Sequence, residues 1–267
     1  MSRSKLDILL DHLKGYDRSL IAYSGGVDST FLIKAASMAG IDFIAVTSSS
    51  ETVPEPDLQR AKEITSELGI EHMVICTGEM NSRKFTENPT DRCYYCKDIL
   101  FSALKKISND KGYEHILEGS NADDVRDHRP GLRACSDRGI ISPLMECGLT
   151  KNEIRSYSRE YGLRTWDIPS SPCLSSRFPY GERITLRGLS MVSAAEDVIR
   201  GLGFKVVRVR TTGTSATVEV GADEMDRLGD SSLRSRIEQS LINIGYDKVS
   251  FDPEGYVSGK LNRTIPS

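Results

Sequence analysis

The chain has 267 residues, 38% of them hydrophobic and 27% charged, with a formal net charge of −3. This length accommodates two domains or one large one, and the composition is that of an ordinary globular protein. The negative balance argues against a broad nucleic-acid-binding surface. The N-terminus lacks the apolar core of a signal peptide and no apolar stretch approaches a membrane span, so we expect a cytoplasmic protein.

The first half of the chain alternates strand-like and helix-like segments. The predicted strands are 20–23, 43–47, 72–76 and 115–117, and the predicted helices are 28–39, 56–68 and 93–108. This alternation is typical of an α/β fold, with a parallel sheet covered by helices on both faces. Ligands of such sheets bind beyond the carboxyl ends of the strands, so functional residues are expected there.

A glycine-rich turn, Ser-Gly-Gly-Val-Asp-Ser at 24–29, separates the first predicted strand from the first predicted helix. Such a turn presents backbone N–H groups and a helix N-terminus to an anion. Gly25 and Gly26 let a phosphate approach closely because neither carries a Cβ atom. The flanking serines add hydroxyl donors, and Asp28 is suited to hold Mg²⁺ against the phosphates. The turn lacks the Gly-Lys-Ser/Thr ending of a Walker loop and resembles the PP-loop of ATP pyrophosphatases.

Two further polar segments, 47–50 and 119–124, follow predicted strands and should meet the turn at one edge of the sheet. Asn121 and the two aspartates after it would complete a magnesium and ribose-phosphate site. The alternative is that Asn121 or Asp123 caps a short helix. The residues predicted to bind ATP and Mg²⁺ are Ser24, Gly25, Gly26, Asp28, Ser29, Ser48, Gly119 and Asp124.

Three of the six cysteines carry a pattern of their own. Cys93 and Cys96 form a Cys-x-x-Cys pair whose thiolates can reach one metal centre, and Lys97 beside them is expected to lower the thiol pKa. No second pair completes a zinc site, a redox pair would need a thioredoxin fold, and simple core packing is the other alternative. Cys173 lies among prolines and serines, an unusual place for a packing cysteine. Together the three thiolates would hold three irons of a 4Fe-4S cluster and leave the fourth open.

The remaining chemistry-bearing side chains of the first half carry no motif. Cys76 lies in a strand pattern and is predicted to be in the core. Cys135 and Cys147 are interpreted as structural cysteines, and His128 as a structural histidine.

The second half begins with a predicted helix at 150–162, opened by a Thr150…Glu153 capping box. A Pro- and Ser-rich stretch then predicts a junction between domains. After it come a helix at 189–202, a hairpin of strands 205–210 and 216–220, two shorter helices and a strand at 248–251. We therefore predict a PP-loop domain at 1–168, an active-site loop at 169–182 and a smaller α+β domain at 183–267.

Arg208 and Arg210 lie two residues apart on the first strand of the predicted hairpin, and so on one face of it. Two neighbouring guanidinium groups can clamp a phosphate. The alternative is an ordinary solvated face of the strand. Glu196, on the preceding predicted helix, belongs to no motif that would by itself predict a function.

Taken together, these motifs resemble the LarE family, PP-loop sulfur transferases of nickel-pincer cofactor synthesis. The resemblance covers nearly the whole chain. It rests on the glycine-rich turn, on Arg129-Pro130-Gly131-Leu132, on Cys173 followed by Ser-Ser-Arg-Phe-Pro-Tyr-Gly at 175–181, and on the Val-Arg-Val-Arg run ending at Arg210.

The resemblance implies that ATP adenylates a carboxylate of a pyridinium dicarboxylate mononucleotide and that sulfur then replaces AMP. In one branch of the family the cysteine matching Cys173 gives up its own sulfur and becomes dehydroalanine. The Cys-x-x-Cys pair instead resembles the branch in which three cysteines hold a 4Fe-4S cluster that delivers sulfide. The resemblance further implies catalytic roles for Asp28, Lys97 and Cys173, and a substrate phosphate on Lys97, Arg208 and Arg210. It also implies a metal-linked role for Glu196 and a sulfide or other sulfur donor. The domain at 183–267 would serve substrate binding and oligomerisation, and the assembled form would be a hexamer.

Three other functions remain open from the residues alone. A PP-loop tRNA thiolase would share the turn and the cysteines but needs a broad basic face. An ammonia-using synthetase of the NAD or GMP synthetase kind would leave the cysteines without a role. An iron–sulfur carrier with a regulatory nucleotide site would release no pyrophosphate.

Overall fold

The structure, a computed structural model, describes residues 3–126, 130–169 and 171–264. It divides into two compact units, the first formed by Met1–Glu79 and Asp91–Ser171 and the second by Met80–Thr90 and Pro172–Ser267. No helix in the described ranges is long and apolar enough to cross a membrane. His128 and Arg129 lie outside the described residues, so their interpretation stays a prediction.

The helices and strands of the described ranges follow in chain order. The strands are β1 (Ser19–Ala22), β2 (Phe43–Ser49), β3 (His72–Cys76), β4 (His115–Leu117), β5 (Val207–Thr212), β6 (Ser215–Val220) and β7 (Lys248–Phe251). The α-helices are α1 (Lys5–Leu13), α2 (Val27–Ala39), α3 (Glu55–Glu67), α4 (Arg83–Thr86), α5 (Arg92–Lys111), α6 (Pro130–Arg138), α7 (Pro143–Glu146), α8 (Lys151–Glu160), α9 (Leu186–Gly201) and α10 (Ser231–Ile244).

The sheet of unit 1 has the strand order β3-β2-β1-β4 in the described chain, and every neighbouring pair is parallel. Alternate residues of β1 serve opposite faces of this sheet. Ile21 belongs to the apolar cluster that contains α1, α2 and α8, and Leu20 to the cluster that contains α5 and α6. The predicted α/β fold, with helices on both faces of a parallel sheet, is therefore confirmed.

The position of Cys76 differs from the prediction. Cys76 is exposed and not part of the core, because it ends β3, which is an edge strand of the sheet. Cys135 is buried in the cluster under α5 and α6, and burial raises the pKa of its thiol to about 11. Cys147 packs against the other cluster, as a structural cysteine would.

Unit 2 combines helices with a three-stranded sheet, and its bounds, 80–90 and 172–267, differ from the predicted domain at 183–267, which stays a prediction. Its sheet has the order β5-β6-β7 in the described chain, with β5 and β6 antiparallel and β6 and β7 parallel. Val207 and Val209 of β5 are fully buried and pack with residues of α9 and α10. The intervening Arg208 and Arg210 consequently lie on the opposite face of the strand, as their spacing predicts.

The segment 80–90, which includes α4, belongs to unit 2 although unit 1 precedes and follows it. The Asn88 amide Nδ2 donates a 2.7 Å hydrogen bond to the Pro179 carbonyl, and the Ile184 N–H donates one of 2.8 Å to the Thr86 carbonyl. Phe85 is only 1% exposed. These contacts attach the segment to the stretch that follows Cys173. The functions predicted for the domains stay predictions.

Candidate active site

The glycine-rich turn leads from β1 into α2 and is held by α3. Gly25 has φ +71°, and a Cβ atom there would lie 3.1 Å from the Ala61 Cβ, so both the conformation and the space favour glycine. The Gly25 carbonyl accepts a 3.2 Å hydrogen bond from Arg60 Nε. The Ser24 and Ser29 hydroxyl oxygens lie 3.0 Å apart. The turn is therefore braced by protein contacts from two sides.

The N-terminus of α2 is suited to bind an anion. The helix follows Gly26, whose position supplies no side-chain cap. The backbone N–H groups of a first helical turn have no partner within the helix, and a phosphate satisfies them well. The turn and the helix are therefore suited to a phosphate, and the predicted phosphate binding stays a prediction.

Asp28 lies in the first turn of α2 with its two carboxylate oxygens in different environments. Oδ2 is 2.5 Å from the Lys151 ammonium, whereas Oδ1 is buried and has no hydrogen bond of normal geometry among the described residues, although the Asn121 side chain is near enough to lower the pKa of the carboxyl group. Burial raises the pKa of Asp28, and the Lys151 charge opposes that shift. A buried carboxylate oxygen without a partner costs free energy, which a divalent cation would recover. Asp28 therefore fits the metal role predicted for it.

The segment after β4 packs directly on this turn. A Cβ atom at Gly119 would lie 3.0 Å from the Ser29 backbone nitrogen and 3.1 Å from its Cα. Beyond it, Asp124 Oδ2 accepts a 3.0 Å hydrogen bond from the Asn121 N–H, and Asn121 Oδ1 accepts one of 2.9 Å from the Asp123 N–H. The structure therefore brings Gly119 to the turn. Asn121 and Asp124 also stabilise the short 3-10 helix Ala122–Arg126, as the capping alternative holds.

Gly119→Ala tests this close approach. We expect it to weaken nucleotide binding and to lower the free energy of unfolding by about 1–3 kcal/mol, because backbone must move to admit the methyl group. Isothermal titration with ATP and urea denaturation would measure both. Gly201→Ala is the matched control, since a Cβ atom there meets nothing within 4 Å. Wild-type binding and stability of Gly119→Ala would contradict the expectation.

A chain of polar side chains runs from the end of β2 to α5. The Ser48 hydroxyl is hydrogen-bonded to the Thr77 hydroxyl, which donates a 2.9 Å bond to Glu79 Oε1. The Cys96 thiol lies 3.7 Å from the same oxygen. Glu79 is only 2% exposed, and burial raises the pKa of its carboxyl group. The predicted ATP residue Ser48 and the predicted ligand Cys96 are thus linked through Glu79, which carries no sequence motif.

Cys93 and Cys96 lie in the first two turns of α5, three residues apart and therefore on one face of the helix. Cys93 is exposed and Cys96 is partly buried. This placement lets both sulfurs reach one centre. Cys173 belongs to unit 2. Among the described residues of each unit, no three His, Cys, Asp or Glu side chains are grouped as around a metal ion.

Lys97 follows Cys96 in the chain, but its ammonium pairs with the carboxylate of Glu118, whereas the Cys96 thiol lies near that of Glu79. The Lys97 ammonium lies 2.8 Å from Glu118 Oε2 and 3.8 Å from the Cys135 sulfur. Glu118 Oε1 also accepts a 2.6 Å hydrogen bond from the Ser142 hydroxyl. Burial opposes the charge on Lys97, but Glu118 outweighs it and raises the pKa of the ammonium. The thiol that Lys97 contacts is therefore a core cysteine, and the expected effect of Lys97 on the Cys-x-x-Cys thiols stays a prediction.

In unit 2, the backbone around Cys173 is fixed by a buried arginine. The side chain of Arg177 is 1% exposed, and its Nη1 donates to the carbonyls of Pro172 at 2.7 Å and Cys173 at 3.1 Å. Its Nε and Nη2 donate to the two carboxylate oxygens of Glu196 at 2.7 and 2.9 Å. The sequence offered Arg177 only as part of a motif, without this role.

Glu196 is fully buried and has several donors. Besides Arg177, its oxygens accept hydrogen bonds from Arg200 Nη2 at 2.6 Å and from the Val209 N–H at 3.1 Å. Burial raises the pKa of Glu196, but the hydrogen bond and charge of Arg177 hold it below its usual value. These contacts make Glu196 the partner of two arginines. No contact in the described chain supports the metal-linked role predicted for it.

Arg208 and Arg210 complete a cationic cluster. Arg208 lies over the Tyr256 ring at 4.9 Å, and Arg210 Nε is 2.7 Å from Glu219 Oε1. Burial lowers the pKa of Arg208, and the nearby Arg177 charge adds to the effect. Four guanidinium groups thus surround two buried carboxylates, and guanidinium groups are suited to bind a phosphate. The cluster consists of Arg177, Arg200, Arg208 and Arg210 with Glu196 and Glu219.

Comparisons with known proteins give relatives along the whole chain. No protein-family model matches it. An uncharacterized protein of Synechocystis is 41% identical over 266 residues, which cover 99% of both chains. The pyridinium-3,5-bisthiocarboxylic acid mononucleotide synthase of Lactiplantibacillus plantarum is 34% identical over 98% of this chain and 95% of its own. The tRNA-specific 2-thiouridylase of Desulforamulus reducens is 26% identical over 58% of this chain and 53% of its own.

Proposed function

Since this chain belongs to the LarE family of ATP-dependent PP-loop sulfur transferases, we propose that it converts a carboxylate of a pyridinium dicarboxylate mononucleotide into a thiocarboxylate. The relative's name supplies the class of product, a pyridinium bisthiocarboxylic acid mononucleotide. The observation that carries the proposal is the buried Asp28 carboxylate, with one oxygen lacking a hydrogen bond of normal geometry, beside the uncapped N-terminus of α2. These groups suit a metal-bound triphosphate.

In the first proposed step, the substrate carboxylate attacks the α-phosphorus of ATP and pyrophosphate leaves. The first turn of α2 and the serines of the glycine-rich turn hold the phosphates, and Asp28 holds Mg²⁺. Adenylation is needed because a carboxylate oxygen is a poor leaving group, whereas AMP is a good one. The product of this step is an acyl adenylate.

In the second proposed step, a sulfur nucleophile attacks the acyl carbon and the C–O bond to AMP breaks. The thiocarboxylate and AMP are the products. We propose that inorganic sulfide is the source of the sulfur, so that the polypeptide keeps all its cysteines.

The proposed holders of a 4Fe-4S cluster are Cys93, Cys96 and Cys173. The donor set fits, because three thiolates match three irons, and because Cys93 and Cys96 share one face near the start of α5. When bound, such a cluster supplies an iron without a protein ligand, where sulfide can be held. Arg177 contributes by holding the Cys173 carbonyl in place.

We further propose that the cationic cluster of unit 2 binds the substrate phosphate through Arg208 and Arg210. Charge-assisted bonds from two guanidinium groups are strong and directional. Lys97 is proposed as an additional phosphate ligand, which requires it to exchange Glu118 for the substrate. A homo-oligomer, a hexamer as in the family, is proposed as the assembled form.

The source of the sulfur gives the sharpest test. Anaerobically prepared protein is incubated with ATP, Mg²⁺, the mononucleotide and sulfide, and pyrophosphate, thiocarboxylate, iron and intact protein mass are measured. We expect unchanged protein mass, bound iron, and loss of sulfur transfer in Cys93→Ala with pyrophosphate release retained, because the cysteines and the nucleotide site have separate duties. Cys147→Ala is the control and should behave as the wild type.

Two results would contradict parts of this proposal. Dehydroalanine at Cys173 together with an active Cys93→Ala variant would replace the cluster by a sacrificial cysteine. Absence of pyrophosphate release with the mononucleotide would remove the proposed reaction altogether.

A further inference from the structure

A set of hydrogen bonds centred on Asp57 connects the glycine-rich turn to the end of unit 1. Ser171 is the last residue of unit 1, and Cys173 follows it by two positions. The Ser171 hydroxyl donates a 2.6 Å hydrogen bond to Asp57 Oδ2, and Asp57 Oδ1 pairs with Arg60 Nη2. Arg60 Nε donates to the Gly25 carbonyl at 3.2 Å. One carboxylate thus joins the turn to the place where the chain leaves unit 1, in what we name the Asp57 network.

Helix α3 holds the middle of the Asp57 network in place. Asp57 and Arg60 lie three residues apart near the start of α3, and therefore on one face of the helix. A Cβ atom at Gly25 would lie 3.2 Å from the Asp57 carbonyl oxygen, so α3 packs directly on the turn. The side chains of Asp57 and Arg60 are only 14% and 24% exposed. Salt and water therefore screen this ion pair less than an ordinary surface pair.

The Ser171 end of the Asp57 network is the end that can open. Ser171 is exposed and stands directly before Pro172, whose nitrogen carries no hydrogen to anchor the backbone. A hydrogen bond from an exposed hydroxyl contributes little net free energy, because water competes for both partners. The bond from Ser171 to Asp57 can therefore form and break with a small change at the turn.

The peptide group between Gly25 and Gly26 lets the turn act on the Asp57 network. Its carbonyl oxygen accepts the bond from Arg60, and its N–H is that of Gly26, directly before α2. A phosphate that accepts a hydrogen bond from this N–H polarises the peptide group and makes its carbonyl a stronger acceptor. Arg60 is then held more firmly on the turn. Asp57, paired with Arg60, becomes a better-fixed acceptor for the Ser171 hydroxyl.

We propose that Asp57 is a positioning residue that couples nucleotide binding at the glycine-rich turn to the position of Cys173. It acts through Arg60 on the side of the turn and through Ser171 on the side of the cysteine. This inference rests on the proposed function, which assigns ATP to the turn and sulfur delivery to Cys173. With ATP bound, the Asp57 network is closed and the cysteine is held for the second step; without ATP, Ser171 is released more often.

The test is hydrogen–deuterium exchange of the anaerobically prepared protein, read by mass spectrometry on the peptide that covers 173–178, with and without saturating MgATP. The variants are Ser171→Ala and Asp57→Asn. Thr214→Ala is the matched control, because the Thr214 hydroxyl also donates a 2.6 Å hydrogen bond to an aspartate, Asp247. Isothermal titration measures MgATP affinity, and none of these readouts needs sulfur transfer. Ser171 is exposed, so Ser171→Ala tests the proposal even if Asp57→Asn does not fold.

We expect MgATP to slow exchange at 173–178 about two- to tenfold in the wild type and in Thr214→Ala, the range that one hydrogen bond supplies. Ser171→Ala and Asp57→Asn should lose this slowing although MgATP is saturating. Because coupling between two sites is reciprocal, Ser171→Ala should weaken MgATP by the same small factor. A merely structural role would change exchange equally with and without MgATP.

Either of two results would overturn the inference. Equal slowing by MgATP in Ser171→Ala and in the wild type would mean that the nucleotide acts on 173–178 without the Asp57 network. Unchanged exchange in the wild type with MgATP bound would mean that the turn and this segment are not coupled. Failure of the wild-type protein to bind MgATP would instead count against the proposed function itself.

Discussion

Asp28→Asn is expected to abolish pyrophosphate release, by at least about a hundredfold, while the protein stays folded. A bound metal ion stabilises the charge of a transferring phosphoryl group by several kcal/mol, and an amide holds Mg²⁺ far less well than a carboxylate. A stopped or continuous pyrophosphate assay at saturating ATP and mononucleotide measures the effect. Urea denaturation of the variant without ATP or mononucleotide shows whether the fold is retained.

The control for Asp28→Asn is Asp42→Asn. Asp42 is exposed and immediately precedes β2, so it lies at the N-terminal end of the strands, opposite the end that leads into the glycine-rich turn. We expect wild-type pyrophosphate release from it, because ligands of a parallel sheet bind at the other end of the strands. Wild-type release from Asp28→Asn would exclude Asp28 from the reaction, whatever the behaviour of the control.

Arg177→Met is expected to lower the free energy of unfolding by about 3–5 kcal/mol, because it leaves the buried Glu196 carboxylate without its bidentate partner. Urea denaturation at neutral pH measures this loss. Arg200→Met is the control, since the Arg200 side chain is 31% exposed and its bond to Glu196 should contribute about 1 kcal/mol or less. A loss below 1 kcal/mol in Arg177→Met would show that Arg200 alone satisfies Glu196.

The destabilisation of Arg177→Met should shrink as the pH falls. Arg177 holds the pKa of Glu196 below its usual value in the folded wild type, so the stability it confers is present above the unfolded pKa and is lost as the pH falls through the folded one. In the variant the folded pKa is higher, and protonation relieves the unpaired charge. Adding Glu196→Leu to Arg177→Met should restore much of the stability, since an apolar pair avoids the desolvation of a buried charge.

The sequence predicted the elements that local patterns determine. The predicted strands 72–76, 115–117 and 248–251 coincide with β3, β4 and β7, and the capping box at Thr150 is present. These features depend on residues only a few positions apart. Helix α1 was missed although Ser4 and Asp7 form a capping box at its start, so the signal was there.

The partners of the site residues were beyond the sequence, because they depend on the tertiary fold. Asp28 meets Lys151 only after β4 and α8 have packed beside α2, and a lysine at a helix start looks like an ordinary surface residue. Glu79 and Glu118 gain their importance from burial, and burial at the end of a strand is not encoded by a motif. The Cys76 prediction failed because periodicity does not distinguish an edge strand from a central one.

The segment 80–90 affects the order in which the two units can fold during synthesis. The polypeptide passes between the units after residues 79, 90 and 171, so unit 2 is not a contiguous stretch of sequence. During synthesis, α4 leaves the ribosome long before the strands of unit 2 have been made. Phe85, which is buried in the folded protein, stays exposed until then. Unit 1 can close its sheet earlier, since domains fold largely as they emerge. A product truncated after residue 171 would therefore lack the rest of unit 2 and leave Phe85 exposed.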